Sequence, residues 1–261
     1  KAGLLARDVA VSLGAGEEES RINADMFSAI LGDMITGRIT GATGKIANVP
    51  LEIERLNGDW RFEDGEFLAD AGLLLRDSEQ VERFRPLVSS DIALQFANGE
   101  ITATGRLQEP TTGRDVATVD IVHRLDQATG QALLIVRDLK FDDQFQPELL
   151  TPLTLGIVAN VNGLIAGTGR INWDSDRDGI ESVGQFRTDG LNLAAAFGPV
   201  TGLSGEINFS DLLALETAPN QSIVIGEVNP GIAVFNGSLR YRLLPDFKMQ
   251  IDGGKWPFAG G

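Results

Sequence analysis

The chain has 261 residues, a formal net charge of −15, no cysteine and one histidine, and its apolar share of 43% is ample for a sizeable core. Its acidity argues against binding to nucleic acid or to anionic headgroups, since both need clustered Lys and Arg, and the lack of cysteine excludes disulfides, thiol catalysis and thiolate metal sites. The 31 glycines and 10 prolines indicate many turns and few helices.

The first predicted elements are a strand from Leu4 onwards and a helix over residues 20–31. Ser20 can cap this helix, and the apolar residues Ile22, Met26 and Ile30 fall at helical spacing. Short strands then follow at a spacing of roughly eight to twelve residues, which is typical of an all-β protein.

Asn-Gly and Asp-Gly pairs predict where these strands turn. Both positions of such a pair tolerate the positive φ of a two-residue turn, and the pairs are Asn57-Gly58, Asp64-Gly65, Asn98-Gly99 and Asn236-Gly237. Apolar and polar residues alternate around the turns, so each strand has one apolar face and one wet face.

The middle of the chain repeats this design. The only histidine, His123, lies on the apolar side of the strand predicted at residues 117–125, and no carboxylate stands at a useful spacing for acid–base catalysis. We expect it to be structural or to lie at the edge of an apolar surface.

Prolines bound one predicted helical turn at residues 146–153. The sequence lacks a Gly-x-Ser-x-Gly elbow, a His-Glu-x-x-His pair and a P-loop, so neither enzyme activity nor a cofactor is predicted.

About fifteen consecutive, short-looped strands predict an all-β fold: a long curled antiparallel meander sheet forming an open hydrophobic groove, with two or three short helices. The pattern leaves two alternatives open, closure into a barrel and folding into two packed layers. Breaker residues at 109–115 suggest a soft boundary. It would separate an N-terminal β-rich groove segment, residues 1–110, from a C-terminal groove segment, residues 111–261.

Three stretches in the C-terminal half occur in a fixed order. They are Phe197-Gly198-Pro199-Val200 followed by Leu203-Ser204-Gly205-Glu206-Ile207, then Val228-Asn229-Pro230-Gly231-Ile232, and finally Trp256-Pro257-Phe258-Ala259-Gly260-Gly261. Together they resemble the YdbH-like branch of the AsmA-like bacterial proteins, over about residues 126–261. The first 110 residues share the β-rich style without a specific match.

The resemblance implies a periplasmic bridge whose parent protein is anchored in the inner membrane. Its sheet would form a groove along which phospholipid acyl chains slide towards the outer membrane, and a small outer-membrane lipoprotein would extend the open sheet edge. The sequence has no initiator Met, no signal peptide and no apolar run of about 18 residues. We therefore expect a fragment of a longer protein, with the anchor outside this chain.

Alternation places a set of apolar residues on one side of the later strands, and these are the candidates for lining a lipid groove: Leu133, Ile135, Ile223, Ile225, Leu239, Tyr241, Leu243, Met249, Ile251, Trp256 and Phe258. The same residues could instead form a sealed core. In that alternative, the chain is a structural or interaction module whose exposed edge strand recruits a partner by β-augmentation.

One short motif suggests a metal. Asp174, Asp176 and Asp178 alternate before Gly179, as in the first half of a calcium-binding loop. Gln185 stands where such a loop needs its final glutamate, and no flanking helices are predicted. A polar hairpin tip favours the same residues, so a plain turn is the preferred interpretation and calcium binding the weaker hypothesis.

Overall fold

The computed structural model of the chain describes residues 2–13, 20–45, 51–174, 180–246 and 248–257. These residues form sixteen β-strands and two 3₁₀-helical turns, Pro147–Leu149 and Pro152–Thr154. The strands are β1 (Ala2–Leu13), β2 (Ser20–Leu31), β3 (Ile35–Lys45), β4 (Leu51–Glu63), β5 (Glu66–Asp77), β6 (Leu87–Ala97), β7 (Glu100–Gln108), β8 (Asp115–Arg124), β9 (Thr129–Phe141), β10 (Val158–Asp174), β11 (Ile180–Ala195), β12 (Gly198–Asp211), β13 (Glu216–Thr217), β14 (Gln221–Val228), β15 (Val234–Leu244) and β16 (Lys248–Lys255).

The strands are joined in chain order into one antiparallel meander. β1 to β12 follow one another in the sheet, β14, β15 and β16 continue the order, and the two-residue strand β13 pairs with β12. β1 and β16 stand at the two ends of this order, so in the described part of the chain the sheet does not close on itself. The prediction of an all-β antiparallel meander is confirmed. In place of the one helical turn predicted at residues 146–153, the structure has two short 3₁₀ turns, Pro147–Leu149 and Pro152–Thr154.

Close packing divides the chain into two compact units. The first comprises Lys1–Ala132 and Asn172–Ile180, and the second comprises Leu133–Ile171 and Glu181–Gly261. Strands β1 to β8 belong to the first unit, and strands β12 to β16 belong to the second.

The soft boundary predicted at 109–115 lies in the turn between β7 and β8. The buried carboxylate of Glu109 accepts hydrogen bonds from the backbone N–H groups of Thr111 and Thr112, at 2.8 and 2.7 Å. This carboxylate therefore fixes a tight connection between two neighbouring strands. A domain boundary at this point stays a prediction.

Two of the predicted hairpin turns are present. Asp64 and Gly65 join β4 to β5 with φ angles of 51° and 84°, and Asn98 and Gly99 join β6 to β7 with φ angles of 52° and 78°. Positive φ at both positions matches the right-handed twist of the flanking strands.

The turns predicted at Asn57-Gly58 and Asn236-Gly237 are wrong, because these pairs lie inside β4 and β15. The β4–β5 register shifts between Glu54 and Asn57, and Asn236 has a φ of 56° within β15. An Asn-Gly pair tolerates the backbone of a strand irregularity as readily as that of a turn. The pair alone therefore does not decide between the two.

The helix predicted over residues 20–31 is also wrong, because this segment is strand β2. It pairs with β1 on one side and β3 on the other, which satisfies its backbone N–H and C=O groups in both directions. Ala24 and Ala29, an even and an odd position, are both buried in the strand. Pairing with two neighbours outweighs helical spacing, because local propensity is weak against tertiary structure.

The connection between β5 and β6 is held by a buried ion pair. The Asp77 carboxylate accepts hydrogen bonds from Arg83, from its backbone N–H at 2.7 Å and from Nη2 at 2.8 Å, and from the Glu79 N–H at 3.1 Å. Burial alone would raise the pKa of Asp77, but the hydrogen bonds from Arg83 and Glu79 outweigh it and lower the pKa. The charged Asp77 carboxylate thus holds the connection between β5 and β6 in place within the first unit.

Candidate functional site

The first unit carries two rows of apolar side chains on one face of β3 to β8. Cross-strand partners project to the same side of a sheet, so the register defines these rows. We call them together the first apolar face. The outer row consists of Ile35, Phe62, Phe67, Phe96, Ile101 and His123, and the next of Gly37, Trp60, Ala69, Leu94, Ala103 and Ile121.

None of these first-unit residues was among the predicted groove residues. The signal was present in the sequence, because apolar residues alternate on both sides of the turns at Asp64-Gly65 and Asn98-Gly99. The strand register could not be derived from the sequence. This register aligns the alternating residues of six strands into continuous rows.

The opposite face of the same strands is charged. Arg38 pairs across the strands with Asp59, and Asp59 pairs with Asp70. The Arg38 guanidinium donates two hydrogen bonds to the Asp59 carboxylate, at 2.7 and 2.8 Å. These hydrogen bonds lower the pKa of Asp59 and raise that of Arg38. The sheet of the first unit therefore has one apolar side and one polar side, as the alternation predicts.

Aromatic stacking holds the first apolar face in place. The Trp60 ring stacks between Phe27 and Phe67, with ring centroids 5.2 and 5.6 Å apart and interplanar angles of 15° and 26°. The indole lies over Gly37, where any β-carbon would collide with it. Trp60 thus takes the space that the glycine of the neighbouring strand leaves free.

His123 ends the outer row and pairs with an indole. Trp173 Nε1 donates a hydrogen bond to His123 Nδ1 at 3.1 Å, and the Trp173 ring covers Gly130. An indole N–H can only donate, so Nδ1 is the accepting nitrogen of a neutral imidazole. Since its partner is an indole and not a carboxylate, this pair lacks the arrangement of a general acid–base couple.

The second unit gathers most of the predicted groove residues on one face of β14 to β16. Ile223 pairs with Leu239, and Tyr241 pairs with Ile251. We define the second apolar face by eight apolar residues on this side: Ile223, Ile225, Leu239, Tyr241, Leu243, Met249, Ile251 and Trp256. The polar residue Gln221, which pairs with Tyr241, lies on the same side.

Exposure varies widely across the second apolar face. Ile225 and Tyr241 are each 6% exposed, and Ile225 packs with Val200 and Val228 in a buried cluster. Met249 and Ile251 are 59% and 62% exposed. The face is therefore packed at one end and uncovered at the other.

The remaining predicted residues are Leu133, Ile135 and Phe258. Leu133 and Ile135 are half-buried on β9, which β10, β11 and β12 separate from β14 in the strand order. Trp256, a member of the second apolar face, lies over Gly237 and Gly254. Phe258 lies outside the described residues.

The described residues leave much apolar surface uncovered. Sixteen hydrophobic side chains are buried, four of them alanine, whereas 21 large hydrophobic side chains are exposed. A soluble domain usually scatters such residues singly over its surface. Here Phe62 is an exposed member of a continuous apolar row, and Met249 and Ile251 are exposed members of the second apolar face, so these side chains have no covering layer in the described structure.

The polar side of the first unit holds a cleft of about 580 Å³. Arg38, Asp59, Asp70 and Asp91 line it, and Asp91 is bound by Arg106 at 2.6 Å. A cleft lined by charged side chains is unsuited to an acyl chain. It is separate from the first apolar face, since Arg38, Asp59 and Asp70 belong to the opposite side of the sheet.

The structure does not test the calcium hypothesis. Asp174 is the half-buried last residue of β10, whereas Asp176 and Asp178 lie outside the described residues. Among the residues that are described, no group of three or more His, Asp or Glu side chains is arranged to hold a metal ion. Calcium binding stays a prediction.

A search of the described residues for a membrane-crossing helix finds none of sufficient length and apolarity.

No curated protein and no solved structure matches the chain. A family model described as YdbH-like, intermembrane phospholipid transport protein YdbH, matches residues 1–261. The match covers the first 110 residues as well as the C-terminal motifs, and its description names a lipid transport protein rather than an enzyme. With exposed apolar side chains on both apolar faces and this match over its whole length, the chain belongs to the YdbH-like family of intermembrane phospholipid transport proteins.

Proposed function

We propose that this chain is a segment of a periplasmic bridge that conducts phospholipids between the inner and outer membranes. Acyl chains lie on the apolar sheet faces, and headgroups stay in solvent. The observation that carries the proposal is the presence of uncovered, continuous apolar rows in a member of an intermembrane phospholipid transport family.

The first apolar face has the dimensions that an acyl chain requires. Its outer row crosses six strands, from Ile35 on β3 to His123 on β8. Strands about 4.8 Å apart give this row a length of about 24 Å. Covering a tail of about fifteen carbons yields roughly 12 kcal/mol, at about 0.8 kcal/mol per methylene. This gain is enough to hold a tail on the face without a catalytic group or a cofactor.

The proposal also includes the surroundings of the chain. The parent protein is anchored in the inner membrane by a segment outside this chain, and a small outer-membrane lipoprotein pairs with a free sheet edge. The family's intermembrane role supports the anchoring of the parent protein in the inner membrane. Among the described residues β1 and β16 are the end strands of the sheet, which supports the lipoprotein contact, because an end strand has backbone groups with which a further strand can pair.

Native mass spectrometry of the chain purified from a bacterial host tests lipid binding. We expect phospholipid to co-purify and to be displaced by added phospholipid. A lipid-free chain that takes up none would contradict the proposal.

A matched pair of variants locates the binding face. Ile251 is 62% exposed on the second apolar face, and Val224 is 51% exposed on the opposite, polar side of the same strands. Ile251→Asp should lower phospholipid loading by about tenfold, because a carboxylate is costly to place against hydrocarbon. Val224→Asp should leave loading unchanged. Equal effects of the two variants would mean that lipid does not select the apolar side.

The second candidate function is an interaction module with a sealed core. The buried cluster around Val200, Ile225 and Val228 favours it locally. It predicts a chain that folds free of lipid and binds a partner through an edge strand. The loading measurement separates the two candidates.

A further inference from the structure

His123 is the polar member of the outer row of the first apolar face, and one of its two ring nitrogens is unused. Trp173 Nε1 donates to Nδ1, so Nε2 carries the proton of the neutral imidazole. Within the described ranges of the chain no group accepts a hydrogen bond from Nε2. The ring is only partly buried, and Nε2 is not one of the buried polar atoms that lack a partner. This N–H therefore reaches the surface.

The Trp173 indole holds the imidazole in this orientation. The indole covers Gly130 on β9, where any β-carbon would collide with it. The ring centroids of Trp173 and His123 are 6.0 Å apart, with an interplanar angle of 32°. A rotation that turned Nδ1 outward would break the hydrogen bond from Trp173. The bond at one nitrogen thus fixes the other as an outward donor.

We propose that His123 Nε2 donates a hydrogen bond to an ester carbonyl oxygen of a phospholipid whose acyl chain covers the first apolar face. This inference rests on the proposed function and names the chemical group that the face recognises. The other members of the outer row are isoleucine and phenylalanine, whose side chains have no hydrogen-bond donor. In the outer row Nε2 is therefore the one donor that a lipid can reach.

The outer row lies where the polar part of a bound lipid would begin. His123 is the penultimate residue of β8, and Phe62 and Phe96 are the penultimate residues of β4 and β6. Beyond these residues the chain turns, so the row borders solvent. The histidine interrupts the row with its one polar group. A tail lying over Phe96 and Ile101 would therefore have its ester beside Nε2.

The charges at this end of the row favour an ester carbonyl over a phosphate. Arg124 follows His123 in the chain, but its guanidinium is bound to Glu100 at 3.2 Å. Asp126 is exposed in the next turn, and Asp64 is exposed in another turn at the same edge. A phosphate would face these carboxylates while the adjacent cation is already paired. A carbonyl oxygen is a neutral acceptor and does not meet this repulsion.

A competition between two lipids tests the inference. The whole chain is offered an equimolar mixture of diester and diether phosphatidylethanolamine with equal chain lengths, and bound lipid is counted by native mass spectrometry. The chain should prefer the diester by about threefold, the effect of one hydrogen bond that replaces a bond to water.

Three variants assign this preference to Nε2. His123→Asn keeps an oxygen that can accept the hydrogen bond from Trp173 but is too short to place a donor where Nε2 stands, so the preference should vanish. His123→Gln reaches that position with its amide nitrogen and should keep the preference. Val122→Asn places the same amide on the opposite side of β8 and should keep it as well.

The outcomes separate this inference from the proposed function. If the unaltered chain binds both lipids equally, or if His123→Asn keeps the preference, the hydrogen bond to the ester is wrong and lipid transport stands. An equal loss of both lipids in His123→Asn would mean that the histidine binds a part that they share, such as the phosphate, and would also overturn the inference. If the unaltered chain binds neither lipid, both ideas fail.

Nuclear magnetic resonance of the unaltered chain decides the matter should the variants not fold. The chain has one histidine, so the signals of its imidazole nitrogens need no further assignment to a residue. Diester lipid should shift the Nε2 signal more than diether lipid does, because only the ester offers a carbonyl acceptor. Equal shifts with the two lipids, or none with either, would overturn the inference.

Discussion

The two apolar faces are built from the same alternation but are packed differently. On the first, Trp60 stacks between Phe27 and Phe67, and the rows continue across six strands. On the second, exposure rises from 6% at Ile225 to 62% at Ile251. Alternation decides which side of a sheet is apolar, whereas side-chain shape decides how much of that side stays open.

Each face also places a tryptophan over a glycine of a neighbouring strand. A β-carbon at Gly37 would meet the Trp60 ring and the backbone carbonyl of Ser28. The three atoms nearest to a β-carbon at Gly237 all belong to the ring of Trp256. The first glycine is therefore required by the backbone as well as by the ring, and at the second the ring is the nearest obstacle.

The largest expected effect separates the packed and open ends of the second apolar face. Ile225→Asp places an unpaired charge in the cluster with Val200 and Val228 and should reduce the free energy of unfolding by about 4 kcal/mol or more. Ile251→Asp, on the open end, should change it by less than about 0.5 kcal/mol. Urea denaturation measures both. Similar losses would show that the two ends are equally packed.

A pair of double-mutant cycles sharpens the comparison between the two tryptophans. Gly237→Ala should cost about 1–3 kcal/mol because the added methyl displaces Trp256, and the cost should nearly vanish in a Trp256→Ala background. Gly37→Ala should remain destabilising in a Trp60→Ala background, since the Ser28 carbonyl still blocks the methyl. Unfolding free energies from urea denaturation give both couplings. Equal coupling energies for the Gly237–Trp256 and Gly37–Trp60 pairs would show that the two glycines do not differ in this way.

The smallest expected effect is the pH dependence of stability, on the order of 1 kcal/mol. In the first unit the lowered pKa of Asp77 stabilises the fold above the unfolded pKa of about 3.9, and this contribution is lost as the pH falls through the folded pKa. In the second unit the raised pKa of Tyr241 stabilises the fold below about 10, and this is lost as the pH rises through the folded pKa.

Single substitutions should remove the acid part and the alkaline part of this pH dependence one at a time. Asp77→Asn should flatten the acid side of a plot of unfolding free energy against pH, and Tyr241→Phe should flatten the alkaline side. Asp120→Asn, at an exposed position, serves as a control for the removed charge. An acid limb that survives in Asp77→Asn would place the responsible carboxylate elsewhere.

Much of the candidate site could be predicted from the sequence. Alternation identified the shared side of Ile223, Leu239, Tyr241 and Ile251, which the register confirms. The motifs from Phe197 onwards identified the family, which matches the whole chain. Their assignment to a lipid groove stays a proposal.

Other features could not be derived from the sequence, because they depend on pairing between distant segments. The β2 segment has a helical spacing of apolar residues, and only its two strand partners make it a strand. Asn57-Gly58 and Asn236-Gly237 have the composition of turns but lie inside strands. Of these four residues, only Asn236 has a positive φ. In both cases a local preference is overruled by hydrogen bonds to neighbouring strands.

The amino-acid pattern alone establishes that the chain forms consecutive strands with one apolar side, because a period of two places alternate side chains on opposite faces whatever the partners are. The tertiary structure decided which rows those side chains form and which of them are covered. Register and packing depend on contacts between residues far apart in the chain, and a one-residue slip would have moved every apolar side chain to the opposite face. For that reason Ile225 and Ile251, alike in sequence pattern, are buried in one case and exposed in the other.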